Sequence, residues 1–550
     1  MKNKYYQSRI AGAFLILLSL SITSFAQNNG DLKEHLRDLP FAMPEMNVPV
    51  FPNRSVNIKD FGAVGDGQTM NSDAFKKAIE QCASLGGGTV IVPPGLWLTG
   101  PILFKSNINL HLEKGALVLF SRNHSDYPLV KDGKSFSVTP PISGYDLENI
   151  AITGDGIFDG SGDTWRPVKK DKTTEDQWKK LIASGGVVDK NNLCWPNQEA
   201  MDGEMYLKGL NKKDKSTLNE QDFIPAREFL RPYLLMFANC KNVLLDGPTF
   251  QNSPKFVINP HFCDNMIIRN IKVLNEWWAQ NGDGIDISGG KNIVIYNCTV
   301  NAGDDGICMK SSRTKKYGNG AALQNVVISD CVVYHAHGGF VIGSNTDGGM
   351  NNISVSNCNF ISTDVGLRFK SSRGRGGLVE NIYVKDIFMK DITREAILFD
   401  TYYENKSPAN INQEVNETTP RFQKFFLQNI YCNGAAQAIE MTGLPEMPIQ
   451  DIDFNNVTIS AQSGFSSMEA KNIRLNKVSI LPEKGVVYSL ENSKDFLMKD
   501  LVSPTLQKSF ITLKGATTKN IQIQGTNLSK DKNNFTFEQG AEKSAVVVTK

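Results

Sequence analysis

Three carboxylates lie close together in two similar phrases near the middle of the chain. Residues 281–287 read NGDGIDI and residues 303–310 read GDDGICMK, which places Asp283, Asp304 and Asp305 beside the glycines Gly284 and Gly306. Clustered carboxylates suit acid–base chemistry, because a protonated carboxyl group can donate to a leaving oxygen while an ionised one activates water. The two phrases therefore predict a general acid–base site.

Repetition of this phrase predicts the elements that position the acids. Related glycine-anchored phrases follow around His337 and around Arg368 and Lys370, so successive anchor glycines are 22, 33 and 27 residues apart. Periods of this size are typical of a solenoid. In a parallel β-solenoid, equivalent positions of neighbouring rungs are ~4.8 Å apart, so His337 falls beside Asp304. Arg368 and Lys370 fall on the outer face of their strand, next to Lys310.

A second repeated signal is an asparagine or aspartate placed before an alternating apolar strand. It occurs at Asn242, Asn265, Asn292, Asn325 and Asn352, and later examples continue at steps of mostly 21 to 33 residues. An asparagine at one repeated turn position can cap backbone groups with its side chain. The pattern favours one continuous solenoid domain over a β-sandwich, whose turns would recur every 8–12 residues or so.

The N-terminal part of the chain contains three further segments. Residues 1–26 combine three basic residues with an apolar run and a small-residue end, which predicts a cleavable signal and export to the periplasm or the extracellular space of a bacterial-type cell. After removal of the signal we expect no membrane span. Residues 27–55 form an N-terminal extension before a single domain over 56–550. Within that domain, residues 72–85 have helical periodicity and predict a cap over the exposed solenoid end.

The repeat pattern breaks over about 163–231. This segment contains Trp165, Trp178 and Trp195 together with clusters of lysines, and it includes a helix-like stretch. Long segments of this kind on a rigid scaffold are often functional. We interpret residues 163–231 as an insertion that closes one end of the solenoid groove.

Charge and cysteine content point to no additional partner. The net charge of +2 becomes about −1 without residues 1–26, so global charge predicts no nucleic-acid ligand. Cys298, Cys331 and Cys358 occupy matching places in successive rungs. They are predicted to fill the core, while disulfides or a zinc site are the less favoured alternatives. We expect a monomer without a cofactor or metal.

The motifs resemble glycoside hydrolase family 28, the polygalacturonase family of pectin-degrading right-handed β-helices. The family pattern is Asn-Thr-Asp, Gly-Asp-Asp, Gly-His-Gly and Arg-Ile-Lys, and the corresponding blocks occur here in the same order at residues 281–283, 303–305, 336–338 and 368–370. The departures, Gly282, Ala336 and Phe369, remove no ionisable group. A literal Asn-Thr-Asp at 345–347 follows the histidine block and is interpreted as part of a loop.

This resemblance implies an all-β, right-handed parallel β-helix that hydrolyses α-galacturonosidic bonds of a pectic polysaccharide or oligogalacturonide with inversion. It makes Asp304 the general acid, assigns Asp283 and Asp305 to hold and deprotonate the water, and lets His337 tune the acid. Inverting glycosidases keep their two carboxyl groups about 6.5–9.5 Å apart, and we expect that spacing. Crowding of the acids should also raise the pKa of at least one.

The basic residues of the outer strip have a predicted role in binding. Arg368 and Lys370, with Lys310 beside them, suit the carboxylate of a galacturonate, and Tyr402 is one rung further along and within reach of the sugar. The long insertion before the motifs favours exo-action over endo-action.

Several alternatives remain open at the level of sequence. A galacturonidase acting on rhamnogalacturonan would share every motif. A calcium-dependent pectate lyase would use clustered aspartates as ligands, and a non-catalytic pectin-binding solenoid would need the basic residues without the acids.

Overall fold

The computed structural model describes residues 31–214, 216–313, 322–404, 411–502, 509–528 and 534–549 of the 550-residue chain. This part of the chain is dominated by β-strands, and 33 of them form one sheet in which paired strands run parallel. Each strand pairs with strands one rung before and after it, so the sheet is arranged in three columns. The all-β prediction is therefore confirmed.

The strands are assigned to columns by their pairings. The first column contains Ser55–Asn57, Gly88–Val92, Ile108–Leu112, Glu148–Gly154, Lys241–Asp246, Leu323–Ser329, Ile449–Ala461, Ala470–Pro482, Lys494–Lys499, Lys519–Gln524 and Val546–Thr549. The second column contains Gly95–Thr99, Ala116–Phe120, Ile157–Asp159, Thr249–Gln251, Lys272–Leu274, Thr299–Asn301 and Val332–Tyr334. The third column contains Ile102–Leu103, Ile142–Tyr145, Leu235–Ala238, Asp305–Ser311, Gly338–Thr346, Leu367–Lys370, Ser463–Met468, Tyr488–Glu491, Ile511–Lys514 and Phe535–Glu538. Longer strands run through more than one column: His261–Arg269, Ile285–Tyr296, Met350–Ile361, Ile449–Ala461 and Ala470–Pro482 run through two, and Leu378–Asp400 and Arg421–Thr442 run through all three.

The core runs along the inside of the stacked rungs. In the third column Ile285, Ile307, Phe340, Leu367 and Ile397 pair in register from rung to rung, and each is essentially fully buried. Burial of such a side chain contributes about 1.5–3 kcal/mol. Because side chains alternate across a strand, this fixed inner row forces the residues between them onto the outer face, where the predicted site residues lie.

The repeated asparagines form a ladder at one corner of the rungs. Asn242, Asn265, Asn292, Asn325 and Asn352 all have a left-handed φ between 53° and 58°. Their side-chain amides bond in series, each Nδ2 donating to the Oδ1 of the previous rung at 3.1–3.3 Å. Asparagine tolerates this backbone conformation better than most residues. The predicted capping role is thus extended, because the side chains also bond to one another.

The predicted helix near the N-terminal end forms over Ser72–Ser84. Its buried face contains Ala74, Phe75, Ala78, Ile79 and Cys82, which join the core at the first rungs. Before it, residues 31–53 lie along the outside of the ladder and cover an outward-facing apolar row that includes Leu244, Ile267 and Val294. Residues 31–53 thereby shield this apolar row from water. Without them, the alternation of side chains along the strands would leave the row exposed.

Residues 163–231 fold outside the three columns. They contain the helices Glu175–Ala183, Gln198–Leu210, Glu220–Phe223 and Arg227–Leu230 and a small antiparallel sheet of Val168–Lys169, Val187–Val188 and Leu193–Trp195. The tryptophans Trp165, Trp178 and Trp195 are buried, with exposed fractions of 1%, 7% and 6%. They stabilise the segment instead of offering exposed stacking surfaces.

Two other predictions concern the ends and the cysteines. The described residues contain no helix of the length and apolarity that crossing a bilayer would require. The predicted signal over 1–26 lies outside the described residues. Cys298, Cys331 and Cys358 are buried free thiols in successive rungs, as predicted for core-filling residues.

Candidate active site

The strand register brings the predicted site residues together on the third column. Asp305 pairs with Gly338, and Ile285 pairs with Ile307, so Asp283, Asp305 and the residue after His337 occupy equivalent places in three successive rungs. Arg368 and Lys370 lie one rung further, in strand Leu367–Lys370. One oxygen from each of Asp283, Asp304 and Asp305 lies within 4.8 Å of the other two.

Asp304 is the most accessible of the three acids, with a side-chain exposed fraction of 19%. Its Oδ1 accepts hydrogen bonds from the backbone N–H of Asp305 at 3.0 Å and contacts Nδ1 of His337 at 3.0 Å. Burial raises the pKa of Asp304, but the hydrogen bond to His337 and the charges of His337 and Lys370 together outweigh it, and the pKa is lowered. In the free protein Asp304 is therefore a carboxylate.

Asp305 is buried and doubly ion-paired. Nη1 of Arg368 donates to its Oδ1 at 2.9 Å and Nζ of Lys370 donates to its Oδ2 at 2.7 Å. Burial opposes ionisation, yet Lys370 and Arg368 outweigh it and hold the pKa of Asp305 well below its usual range. Arg368 and Lys370 lie on the outer face of their strand, as predicted, but both are buried there and neutralise Asp305. Their binding of a substrate carboxylate stays a prediction.

Asp283 has the opposite electrostatic character. Burial raises the pKa of Asp283 well above its usual value, and the negative charges of Asp304, Asp286 and Asp305 raise it further. The positive charge of Lys310 opposes this shift. Nζ of Lys310 lies 3.1 Å from its Oδ2, and Oδ1 is buried without a hydrogen-bond partner among the described residues. The pKa of one acid is raised, as predicted, although burial contributes more than the crowding of the carboxylates, and Asp283 is the acid that holds a proton most readily.

Two site residues escaped the sequence reasoning. Asp286 is fully buried and forms a short ion pair with Lys310; its outward position, one alternation after Ile285, was the available signal. Tyr403 lies under the basic pair, with its ring centre 5.6 Å from Cζ of Arg368 and 5.1 Å from Nζ of Lys370. The predicted Tyr402 instead lies beside the guanidinium of Arg373.

The segment 163–231 reaches the site through Lys172. Its Nζ donates to the carbonyl oxygen of Trp277 at 3.1 Å and lies 3.4 Å from Nε2 of His337. It also lies 5.1 Å above the ring of Trp277, which is 48% exposed. Burial lowers the pKa of Lys172, and Asp364 and Asp304 oppose that shift.

The second Asn-Thr-Asp phrase lies at the edge of the site. Thr346 ends strand Gly338–Thr346, and Asp347 accepts from the backbone N–H of Arg313 at 3.1 Å, away from the acid cluster. Asn345, however, lines a cavity of about 360 Å³ together with Tyr233, Phe256 and Lys310. The prediction that residues 345–347 are part of a loop holds for Asp347. Asn345 instead lies in the strand and lines the cavity.

Comparison with known proteins agrees with this geometry. The model of glycosyl hydrolases family 28 matches residues 225–480, and a rhamnogalacturonase A/epimerase, pectate lyase-like model matches residues 55–111. A probable polygalacturonase of Vitis vinifera is 26% identical over 74% of each chain. An exo-poly-alpha-D-galacturonosidase of Dickeya chrysanthemi is 26% identical over 77% of this chain and 70% of its own.

A solved structure shares the architecture as well. The exopolygalacturonase of Thermotoga maritima is 29% identical, with a TM-score of 0.62 over 86% of this chain and 96% of its own. These matches show that the chain is a glycoside hydrolase. The chain belongs to glycosyl hydrolases family 28.

Proposed function

We propose that the protein is a polygalacturonase that hydrolyses α-galacturonosidic bonds of pectin from a chain end, with inversion. The observation that carries this proposal is the accessible carboxylate of Asp304 above two buried carboxylates on the same and the preceding rung. We take the ladder to be a right-handed parallel β-helix over 56–550, capped by Ser72–Ser84.

Accessibility assigns Asp304 as the general acid. A leaving glycosidic oxygen must come within hydrogen-bond distance of the donor, and Asp283 and Asp305 have side-chain exposed fractions of only 4% and 3%. Asp304 needs a proton that the free protein does not hold there. A galacturonate bound beside it displaces water and adds a negative charge, and both effects raise a carboxyl pKa. His337 then sets how readily the proton is given up.

Asp283 and Asp305 are placed to hold the attacking water. The unpartnered Oδ1 of Asp283 is a buried acceptor, and such a group is stabilised by a bound donor. Asp305 stays ionised because of Arg368 and Lys370. Its low pKa makes it a weak base. Asp283 becomes the better acceptor of the proton of the water when its own proton passes to Asp304, whose carboxylate oxygen lies within 4.8 Å.

The spacing of the acids calls for a stereochemical test. The closest oxygens lie within 4.8 Å, so the expected separation of about 6.5–9.5 Å is not observed for these atoms. The physical reason is that neighbouring rungs are only ~4.8 Å apart. We retain inversion because both oxygens of Asp305 are bonded to cations, which weakens it as a nucleophile. Proton NMR of the first product should show the β-anomer, and an initial α-anomer would establish retention.

Exo-action is supported by residues 163–231. A groove along a ladder of rungs is open at both ends, so release from a chain terminus requires a wall. Lys172 brings this segment against Trp277 and His337, beside the general acid. We propose that the segment closes the groove there, and that residues 1–26 direct export.

Two alternatives remain testable. In the first, the substrate is a rhamnogalacturonan fragment, which would also fit a site built around one galacturonate. Comparing the products formed from defined oligomers of rhamnogalacturonan and of homogalacturonan shows which of them is hydrolysed. Calcium-dependent elimination is disfavoured, because Lys310, Arg368 and Lys370 already neutralise the carboxylates that would bind the cation.

The decisive experiment follows the products of digestion with time. Chromatography of homogalacturonan digests should show galacturonic acid alone in the first minutes. Mixed oligomers from the start would overturn exo-action, and no hydrolysis of any galacturonan would overturn the proposed substrate.

A further inference from the structure

The positive charges around the acids are not all accounted for by ion pairs. Arg368 and Lys370 are bonded to Asp305, and Lys310 is bonded to Asp283 and Asp286. These contacts give each of the three cations an acidic partner, and Asp304 is bonded to His337. Any further cation at this site is available to an anionic ligand.

Lys255 is such a cation. The residue is half-buried, and its Nζ has neither an ion pair nor a hydrogen bond to any residue that the structure describes. It lies 5.1 Å from the ring centre of Tyr233 and 5.8 Å from that of Phe256. Those two rings line the same cavity of about 360 Å³ as Lys310. The charged head of Lys255 thus lies within 6 Å of the centres of two aromatic rings that line this cavity.

The strand register places Lys255 close to the reacting groups. Ile258 pairs with Ile285, and Ile285 pairs with Ile307. By the same register Lys255 is one rung before Gly282, and Gly282 is one rung before Asp304. Two rung spacings separate the backbones by ~10 Å, and Gly282 contributes no side chain between them.

A second unpaired cation lies behind Lys255. Arg231 is buried, and in the described chain it donates only to neutral groups: the carbonyl oxygens of Gln280 and Pro254 and the Oδ1 of Asn281. Two neighbouring cations without a carboxylate repel each other in a poorly solvated place. A bound anion would relieve that repulsion.

We propose that Lys255, supported by the charge of Arg231, binds the carboxylate of one substrate sugar. This sugar lies over the rungs that precede the rung of Asp304. This inference rests on the proposed function and deepens it, because it assigns recognition of one substrate carboxylate to Lys255. Arg231 is also the last residue of the segment 163–231. The segment proposed to close the groove is therefore adjacent to the proposed carboxylate site.

The electrostatics of Lys255 agree with this role. Burial and the charge of Arg231 lower the pKa of Lys255 to about 8. A carboxylate at Nζ would raise it again, so binding of the anion and protonation of the lysine favour each other.

The test measures binding of trigalacturonate by calorimetry in an Asp304→Asn background, where turnover is expected to be at least roughly 100-fold slower. Lys255→Met keeps the length of the side chain and removes the charge, and a charged hydrogen bond of this kind corresponds to about a 10- to 100-fold loss of affinity. Lys255→Arg should retain most of the affinity. Lys59→Met is the matched control, because Nζ of Lys59 also lies over a ring, 5.9 Å from Trp97, far from the site.

The outcomes separate the two proposals. If trigalacturonate binds Lys255→Met within about twofold of the parent, while the unmutated enzyme still releases galacturonate, Lys255 only packs on its aromatic neighbours and the inference fails. If the unmutated enzyme hydrolyses no galacturonan, the proposed function fails. If Lys255→Met has a lower melting midpoint than Lys59→Met, the affinity of Lys255→Gln for trigalacturonate is compared with that of the parent instead. Methyl-esterified trigalacturonate should bind parent and Lys255→Met alike, and a loss with this neutral ligand also refutes a charge-based role.

Discussion

Asp305 and Asp283 lie on adjacent rungs, yet their isosteric replacements should change stability in opposite directions. Asp305→Asn removes the carboxylate that neutralises Arg368 and Lys370, whose side-chain exposed fractions are only 9% and 6%. Breaking a buried ion pair on one side costs about 3–5 kcal/mol, and the amide nitrogen of the new asparagine would face a cation. We therefore expect a large fall in stability.

Asp283→Asn should stabilise the protein at neutral pH. Burial disfavours the charged form of Asp283, which is why its pKa is raised. A neutral amide of the same size removes that cost, and Lys310 keeps Asp286 as a partner. The gain is on the order of 1 kcal/mol, so the two variants should differ by about 4–6 kcal/mol.

The pH dependence of the two effects also differs. The depressed pKa of Asp305 contributes stability above the unfolded value of about 3.9, and this contribution is lost only as pH falls through the lower folded value. The deficit of Asp305→Asn therefore persists at pH 4. The raised pKa of Asp283 costs stability as pH rises above about 3.9, so the advantage of Asp283→Asn is small at pH 4 and grows toward neutrality.

Thermal melting at pH 4 and pH 7 measures both differences. Midpoints are compared instead of extrapolated free energies, because long stacks of rungs need not unfold in one step. Asp155→Asn, at an exposed turn of an early rung, is the control for loss of one negative charge. If Asp283→Asn melts lower than the control at pH 7, the assignment of the proton to Asp283 is refuted.

Three further predictions concern activity. Asp304→Asn should lower turnover at least roughly 100-fold, because it removes the transferable proton, while its melting midpoint stays near that of the unmutated protein; near-normal turnover would remove Asp304 from the mechanism. Lys172→Ala should loosen the segment 163–231 at Trp277 and let mixed oligomers appear beside galacturonic acid in early digests. Lys170→Ala alters only an exposed pair with Glu175 at 3.8 Å and should release galacturonic acid alone. An unchanged product pattern in both variants would refute the proposal that residues 163–231 close the groove. Activity should survive treatment with EDTA; a loss restored by calcium would show that the acid cluster binds metal.

The sequence by itself determined the composition and order of the site. Repeated glycine-anchored phrases specify rungs, and period-two alternation fixes which side chains point outward. Asp283, Asp304, Asp305 and His337 are therefore neighbours in any parallel stacking of these phrases, and the register confirms it.

Only the tertiary structure decided how the charges are shared. Whether Arg368 and Lys370 point to solvent or to Asp305 depends on side-chain geometry in a buried space, which no spacing in the sequence specifies. Lys172 meets His337 across 165 residues, because residues 163–231 fold back over the rungs. Among the described residues Lys255 has no ion-pair partner for the same reason: the partners of a buried charge are determined by packing in three dimensions, where desolvation makes each pairing strongly favourable or costly.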